Sequence, residues 1–264
     1  MSLALTRPPA PALREFGYWL HRYRRTWRGT IVISVVNPLL FLTAMGVGLG
    51  KLVNHENSGY LHGAPYLSFV APGLLAAAAM QTAVIESGGA VYQSARSSGN
   101  YRAAAATSMR PVDIHAGHLL FMGFRILLSS AAFTVVITVF GVVSPLRALL
   151  LIPVCLLIGA AFIAPLTAYA ITVTRPSRLS AVFRFVIMPL YMFSGTFYPI
   201  SQLPTWLHDI IACTPLYWGI QLCRTIVLGT ADVSGTVTGV LYLGVLATAG
   251  YLVGRRTFQS VLNA

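Results

Sequence analysis

The sequence predicts an all-α integral membrane protein with six transmembrane helices. Of its 264 residues, 56% are hydrophobic and only 9% are charged, a composition outside the range of soluble domains. Several apolar runs reach the roughly 20 residues that a membrane helix needs. Arginine makes up all but Lys51 of the 18 basic residues and is concentrated in short segments between these runs, which is the positive-inside pattern. The net charge of +12 therefore indicates membrane topology, and we expect no nucleic-acid partner.

Residues 1–29 are predicted to form an amphipathic helix at the membrane interface. This segment contains six arginines and a single acid, Glu15. Its apolar side chains recur at steps of three and four residues, which places them on one helical face; they are Leu13, Phe16, Leu20, Tyr23 and Trp27. We expect this helix to lie along the cytoplasmic lipid headgroups and to lead into the first span.

The six membrane helices are predicted at 30–50, 66–86, 118–143, 148–174, 180–199 and 235–254. With both termini inside, fourteen arginines fall in the inner segments, whereas the outer segments hold only Lys51, Arg147 and Arg224. The opposite orientation would reverse this bias. Arg125 lies within a helix, and we expect its side chain to extend to the inner surface. The chain is expected to be one transmembrane domain, 1–264, in a bacterial cell membrane.

The stretch from residue 186 to residue 230 is apolar but unusually rich in proline. No single straight helix accommodates Pro189, Pro199, Pro204 and Pro215. We therefore predict that the fifth helix ends near Pro199 and that 200–230 forms a broken hairpin on the outer side. Broken helices persist in a membrane only where protein covers them or where they line a cavity. The pattern favours a pathway or gate; a loosely packed connection between two spans is the alternative.

Few residues are candidates for chemistry. Asp113, His115 and His118 have a spacing that could hold a metal ion, although ordinary polar residues at the interface are favoured. Glu86 could act as a membrane carboxylate, but a salt bridge with a nearby arginine is favoured. Cys213 and Cys223 share the hairpin and could form a disulfide, but free thiols are favoured because the chain has no cysteine-dense framework.

The glycine-rich end of the first predicted span does not match a phosphate-binding loop. Lys51 follows Gly46, Gly48 and Gly50, but a phosphate loop needs a further glycine separated from its Gly-Lys pair by four residues, and Ser or Thr after the pair. The chain has Met45 and Leu52 at those positions. Since acids for ion-coupled transport are also scarce, we expect the energy source to lie on another chain.

Several stretches resemble one family, the permease subunits of ABC-2 type transporters. The resemblance is greatest to the nodulation lipo-oligosaccharide export and daunorubicin-resistance permeases. It covers nearly the whole chain, and its motifs occur in the expected order. The matching stretches are 23–28, 37–40, 46–50, 71–76, 86–87, 101–103, 112–114, 193–199, 202–204 and 215–217.

The resemblance implies two permease subunits around one path, each resting on a separate ABC ATPase subunit. No cofactor is expected on this chain, because ATP and magnesium would bind the ATPase. A cytoplasmic coupling loop, 87–117, would contain a short coupling helix at 98–107 that docks on the ATPase. Its contact residues would be Asn100, Tyr101, Arg102, Thr107 and Arg110. The substrate path and outer gate would include Met192, Phe193, Gly195, Phe197, Tyr198, Pro199, Trp206 and Tyr217.

The chain departs from the family pattern at two positions near the expected ATPase side. Arg102 stands where the family usually has an acid, and Gly117-His118 replaces a Gly-Glu pair. A heterodimer of two unlike permeases would explain both. We expect the chain to export a hydrophobic or amphiphilic, drug-like or lipid-like compound in contact with membrane lipids; an intramembrane lipid-modifying enzyme and a membrane scaffold are the alternatives.

Overall fold

The computed structural model describes residues 10–44, 66–200, 204–230 and 232–263. Within these ranges the chain is helical and contains no strand. In chain order the helices are α1 (Pro11–Tyr23), α2 (Trp27–Thr43), α3 (Tyr66–Arg96), α4 (Asn100–Ala105), α5 (Pro111–Val139), α6 (Pro145–Ala170), α7 (Pro176–Val182), a π-helical segment (Phe183–Ile187), α8 (Met188–Phe193), α9 (Thr205–Ala212), α10 (Pro215–Leu228) and α11 (Val233–Leu262).

Proline marks the beginning of several of these helices. A proline at the first helical position sacrifices no hydrogen bond, because the N–H groups there have no partner within the helix. The prolines that open helices are Pro11, Pro111, Pro145, Pro176 and Pro215. α5 therefore begins at Pro111 and not at residue 118, and α6 begins at Pro145 and not at residue 148.

Four helices are long and apolar enough to cross a membrane. They are α3, α5, α6 and α11, with 31, 29, 26 and 30 residues, each longer than the roughly 20 that a bilayer requires. The pair α9 and α10 meets at 88° and would add a fifth crossing as a broken span or a re-entrant loop. The chain is therefore a multi-pass membrane protein. Six spans stay a prediction, because the first one, 30–50, is described only to residue 44.

Two predicted boundaries differ from the observed ones. The second helix was expected to end at residue 86, but α3 continues to Arg96, so the coupling loop is shorter than 87–117. The fifth helix was expected at 180–199, but its helical residues begin at Pro176 and end at Phe193. A π-helical segment interrupts it. The residues after 193 form bends, so Pro199 does not end the helix.

The core is built around α6, which packs against α3, α5, α10 and α11. Leu151, Cys155 and Ile158 on α6 are fully buried. On α10, Leu216, Ile220 and their neighbours are buried against the same helices. This half of the predicted hairpin is therefore part of the bundle, which excludes the loosely packed alternative for α10.

The N-terminal helix α1 packs against α5 through part of the predicted face: Phe16, Leu20 and Tyr23 pack as expected, whereas Leu13 and Trp27 do not. Trp19 and Tyr23 are buried, whereas Leu13 is 51% exposed. A turn after Tyr23 separates α1 from α2, and Trp27, at the start of α2, is 43% exposed. The predicted apolar face is therefore wrong at Leu13 and Trp27, because contact with α5 selects the side of α1 that carries Trp19.

Candidate functional site

A tight turn follows α8. It lies at the end of the bundle where α3 and α6 begin, and we call this end the predicted outer end. Gly195 has a φ of 82°, a left-handed conformation that glycine adopts without a steric penalty. Ser194 and Thr196 on either side are 1% and 0% exposed, and their hydroxyl oxygens are 3.4 Å apart. The residues 194–198, called the gate turn below, are therefore partly inserted into the bundle.

The gate turn lies directly on the first turns of α3. A Cβ atom on Gly73 would be 2.9 Å from the carbonyl oxygen of Thr196, so this approach requires glycine on α3. One residue further along the turn, the Tyr66 hydroxyl donates a hydrogen bond of 3.4 Å to the carbonyl of Phe197. The contacts place backbone against backbone with no room for a side chain between.

Arg224 on α10 holds this contact from the other side. Its side chain is 7% exposed, and Nη2 donates hydrogen bonds to the carbonyl oxygens of Gly195 at 2.6 Å and Thr196 at 3.5 Å. Nε donates to the carbonyl of Phe69 on α3 at 3.3 Å. The guanidinium carbon also lies 3.7 Å from the centre of the Phe69 ring. One side chain thus joins α10, α3 and the gate turn.

The partners of Arg224 are carbonyl dipoles and a ring face. Among the residues that the structure describes, no carboxylate lies within ion-pair distance of it. Pro72, inside α3, has no N–H to donate to the Ser68 carbonyl. Arg224 binds the neighbouring Phe69 carbonyl on α3 together with the carbonyls of the gate turn.

The structure brings some of the predicted gate residues together and leaves others apart. Gly195, Phe197 and Tyr198 belong to the gate turn; the Phe197 ring contacts Tyr191 and Phe41, and the Tyr198 hydroxyl donates to the Met192 carbonyl at 3.2 Å. Pro199 follows the turn and is half-buried. The side chains of Met192, Phe193 and Trp206 are 58%, 46% and 64% exposed, and Tyr217 packs beside Trp218.

Replacing Gly195 by alanine should destabilise the protein. A left-handed alanine costs about 1–2 kcal/mol, and the added Cβ would lie 2.8 Å from the Ile200 side chain. We expect a lower melting temperature in detergent. Gly244→Ala is the control, because that helical position has open space around a Cβ. Equal melting temperatures for the two variants would contradict a strained turn.

At the opposite, predicted inner end, α4 is attached through Tyr101. Gly99, with a φ of 65°, precedes the helix. The Tyr101 side chain is fully buried, its hydroxyl shares a hydrogen bond with Nδ1 of His118, and its ring centre lies 5.5 Å from that of Phe258 on α11. Tyr101 is therefore not on the surface that a partner could contact; it fixes α4 to α5 and α11.

The other predicted coupling residues lie at or near the surface around α4. Arg102 and Thr107 are exposed, and Asn100 is half-buried and accepts a hydrogen bond from Ser98 at 2.7 Å. The Arg110 side chain is 80% exposed and forms an ion pair of 3.2 Å with Asp113. These side chains, without Tyr101, form the surface that α4 presents.

His118 extends the attachment from α4 to α1. The Trp19 ring stacks on the His118 ring at 3.8 Å with an interplanar angle of 4°. Trp19 Nε1 donates a hydrogen bond of 2.7 Å to Glu15. Burial raises the pKa of Glu15, and the bond from Trp19 opposes this shift. The residue that departs from the family pattern, His118, thus contacts both α4 and α1.

The proposed metal spacing does not produce a metal site in the described part of the chain. Asp113 binds Arg110, and His115 packs against the Phe258 and Tyr251 rings. No group of three ligand side chains that could hold a metal ion occurs among those residues. Asp113 thus has an ordinary polar partner, whereas His115 is 1% exposed and lies among aromatic rings.

Glu86 forms the salt bridge that the sequence favoured. Its carboxylate accepts a 2.8 Å hydrogen bond from Arg125 on α5, and the two side chains are 16% and 11% exposed. The Arg125 guanidinium also lies 4.6 Å from the centre of the Tyr23 ring. Arg125 therefore does not extend to the inner surface as expected, because its partners lie within the bundle.

The three cysteines are free thiols. Cys213 is exposed, whereas Cys223 is buried and contacts Cys155 on α6. The structure thus agrees with the favoured alternative of free thiols on the hairpin.

Comparison with known proteins identifies the family. A family model described as ABC-2 type transporter matches residues 18–228. The chain is 28% identical to Nodulation protein J of Rhizobium leguminosarum bv. viciae, over 84% of this chain and 85% of that protein. It is 26% identical to Nodulation protein J of Bradyrhizobium diazoefficiens, over 92% and 91%. No solved structure gives a significant match. The chain therefore belongs to the ABC-2 type transporter family, as a membrane permease without catalytic activity of its own.

Proposed function

We propose that the chain is the membrane-spanning subunit of an ATP-driven exporter, which moves an amphiphilic or lipid-like compound outward by alternating access. Family membership implies partnership with an ABC ATPase subunit, and ATP and magnesium would bind that subunit. Both termini would be cytoplasmic, as the arginine distribution indicates.

The attachment of α4 is the observation that carries this proposal. This six-residue helix lies between two long helices and is fixed to the bundle by one side chain. Here its buried Tyr101 contacts α5 and α11, while Arg102 and Thr107 are exposed. A movement imposed on the exposed side of α4 by an ATPase would reach the long helices through Tyr101.

An apolar groove supports an amphiphilic substrate. It has a volume of about 310 Å³ and is lined by α3, α6 and the start of the fifth predicted span, including Gly88, Leu166 and Phe183. Ser180 is the polar residue in its lining. Apolar chains are the ligands that such a lining accommodates.

The exposed side of residues 176–193 supports a second permease subunit or lipid as neighbour. Phe185, Val186 and Met192 are 79%, 54% and 58% exposed, and α7 packs only lightly on α3. Two subunits that met along this side would enclose a path whose far end is closed by the gate turn.

Removal of an exposed side chain on α4 tests the proposal. In membranes that contain the chain and its ATPase, Arg102→Ala should weaken ATPase binding, since it removes a charge from the proposed interface. Substrate-stimulated ATP hydrolysis and export should fall together. Arg256→Ala is the matched control, because Arg256 is also exposed near the predicted inner end but does not belong to α4.

Equal effects of the two substitutions would contradict docking through α4. A chain that binds no ATPase, with hydrolysis independent of its presence, would favour the membrane scaffold. Inside-out vesicles that take up the compound on ATP addition would support export, whereas uptake by right-side-out vesicles would reverse the direction.

A further inference from the structure

We infer that Arg224 is the positioning residue of the outer gate, which keeps the gate turn closed against α3 by donating hydrogen bonds to backbone carbonyls. The inference deepens the proposed function and rests on it, because the turn acts as a gate only if the chain transports a compound. The geometry concerns the closed contact itself and does not depend on which compound is exported.

Arg224 joins the gate turn to α3 by donating hydrogen bonds to both. The Gly195 and Thr196 carbonyls belong to the gate turn, and the Phe69 carbonyl belongs to α3. Among the residues that the structure describes, the Tyr66 hydroxyl adds a 3.4 Å bond from α3 to the Phe197 carbonyl. One side chain on α10 therefore holds both sides of this contact.

Opening of the gate turn would break the contacts of a buried cation. A buried cation is strongly unfavourable unless its donors are satisfied, and the carbonyl acceptors of Arg224 are available only while the turn and α3 are in contact. Movement of the turn away from α3 would leave both the guanidinium and the carbonyls short of partners. The closed arrangement is thus favoured until water or another polar group replaces these contacts.

Arginine suits this role better than lysine. The planar guanidinium presents several N–H donors in fixed directions, whereas an ammonium presents a single point of charge. Nε and Nη2 here point to different elements, and the guanidinium also lies on the Phe69 ring. Lysine would keep the charge but could not reproduce all of these contacts.

A buried reporter thiol in the gate turn tests the inference. The parent carries Ser194→Cys, at a position 1% exposed, together with Cys213→Ser to remove the exposed native thiol. The full chain is placed in lipid nanodiscs, where both membrane faces are accessible, and labelled with a polar maleimide without nucleotide or substrate. Background labelling is subtracted with a chain that carries only Cys213→Ser.

We expect Arg224→Met to raise the labelling rate by about tenfold or more, because charge-assisted hydrogen bonds that hold the closed state are lost. Arg224→Lys should give an intermediate rate. Arg147→Gln is the matched control: Arg147 is exposed at the same end of the bundle, beside Gly229, and its loss should leave labelling unchanged.

An unchanged labelling rate in a monodisperse Arg224→Met protein would overturn the inference, as would an equal increase in Arg147→Gln. If the methionine variant fails to fold, Arg224→Lys alone decides. Labelling faster than that of the parent supports the role of Arg224, and labelling at the same rate as the parent overturns it. Because neither nucleotide nor transport enters the assay, failure of the export proposal would appear in the α4 experiment and not here.

Discussion

Glu86→Gln should lower the stability of the protein by about 3–5 kcal/mol, the usual cost of removing one partner of a buried ion pair. The substitution leaves Arg125, whose side chain is 11% exposed, with a neutral neighbour inside the bundle. The Tyr23 ring would remain beside the guanidinium, but a ring face compensates a buried cation only in part. The measurement is the thermal unfolding of the purified chain in detergent.

The double variant Glu86→Leu with Arg125→Met is the control for this result. Replacing a buried ion pair by apolar side chains of similar volume is often neutral or stabilising. We therefore expect the double variant to be more stable than Glu86→Gln. If the double variant is less stable than Glu86→Gln, the uncompensated charge is not the cause of the lost stability, and packing around Arg125 dominates.

The Glu86 pair also shows what the sequence could predict. An acid beside a long apolar run in a chain with many arginines needs a cationic partner, because an isolated charge is costly there. That reasoning predicted the bond, and the apolar runs and arginine bias predicted a multi-pass helical protein. These features depend on neighbouring residues or on composition.

The face of α1 could not be chosen from its sequence. Phe16 and Tyr23 fit the predicted series with Leu13 and also a second series at the same spacing that contains Trp19. Contact with α5 buries Trp19, which stacks on His118, and leaves Leu13 exposed. Periodicity determines that one face is apolar, but which of two overlapping faces is buried depends on a helix that lies about a hundred residues further along the chain.

Arg224 was missed for a related reason. The charge count assigned it to the outer segment as an ordinary flanking arginine, although a single cation in the apolar stretch 215–228 was a signal for a buried role. Its acceptors are backbone carbonyls, including one 155 residues away. Carbonyls carry no residue-type pattern, so no spacing in the sequence identifies them.

Tyr101→Ala should destabilise the chain even in the absence of an ATPase. Deleting a fully buried aromatic ring costs about 3–5 kcal/mol, and the cavity would lie between His118 and Phe258. Tyr101→Phe keeps the ring and loses only the hydrogen bond to His118, so about 1–3 kcal/mol is expected. Melting temperatures of the isolated chain in detergent would show this order.

The matched comparison is Arg102→Ala, one residue along the same helix. Because the Arg102 side chain is exposed, its removal should weaken ATPase binding and leave the melting temperature of the isolated chain unchanged. Tyr101→Phe should instead lower that melting temperature. If Tyr101→Ala instead left the melting temperature unchanged and abolished ATPase binding, Tyr101 would be a docking contact. An anchor and a contact on adjacent residues are what a force-transmitting helix requires, because a surface that moves with its partner must be fixed to the helices that it drives.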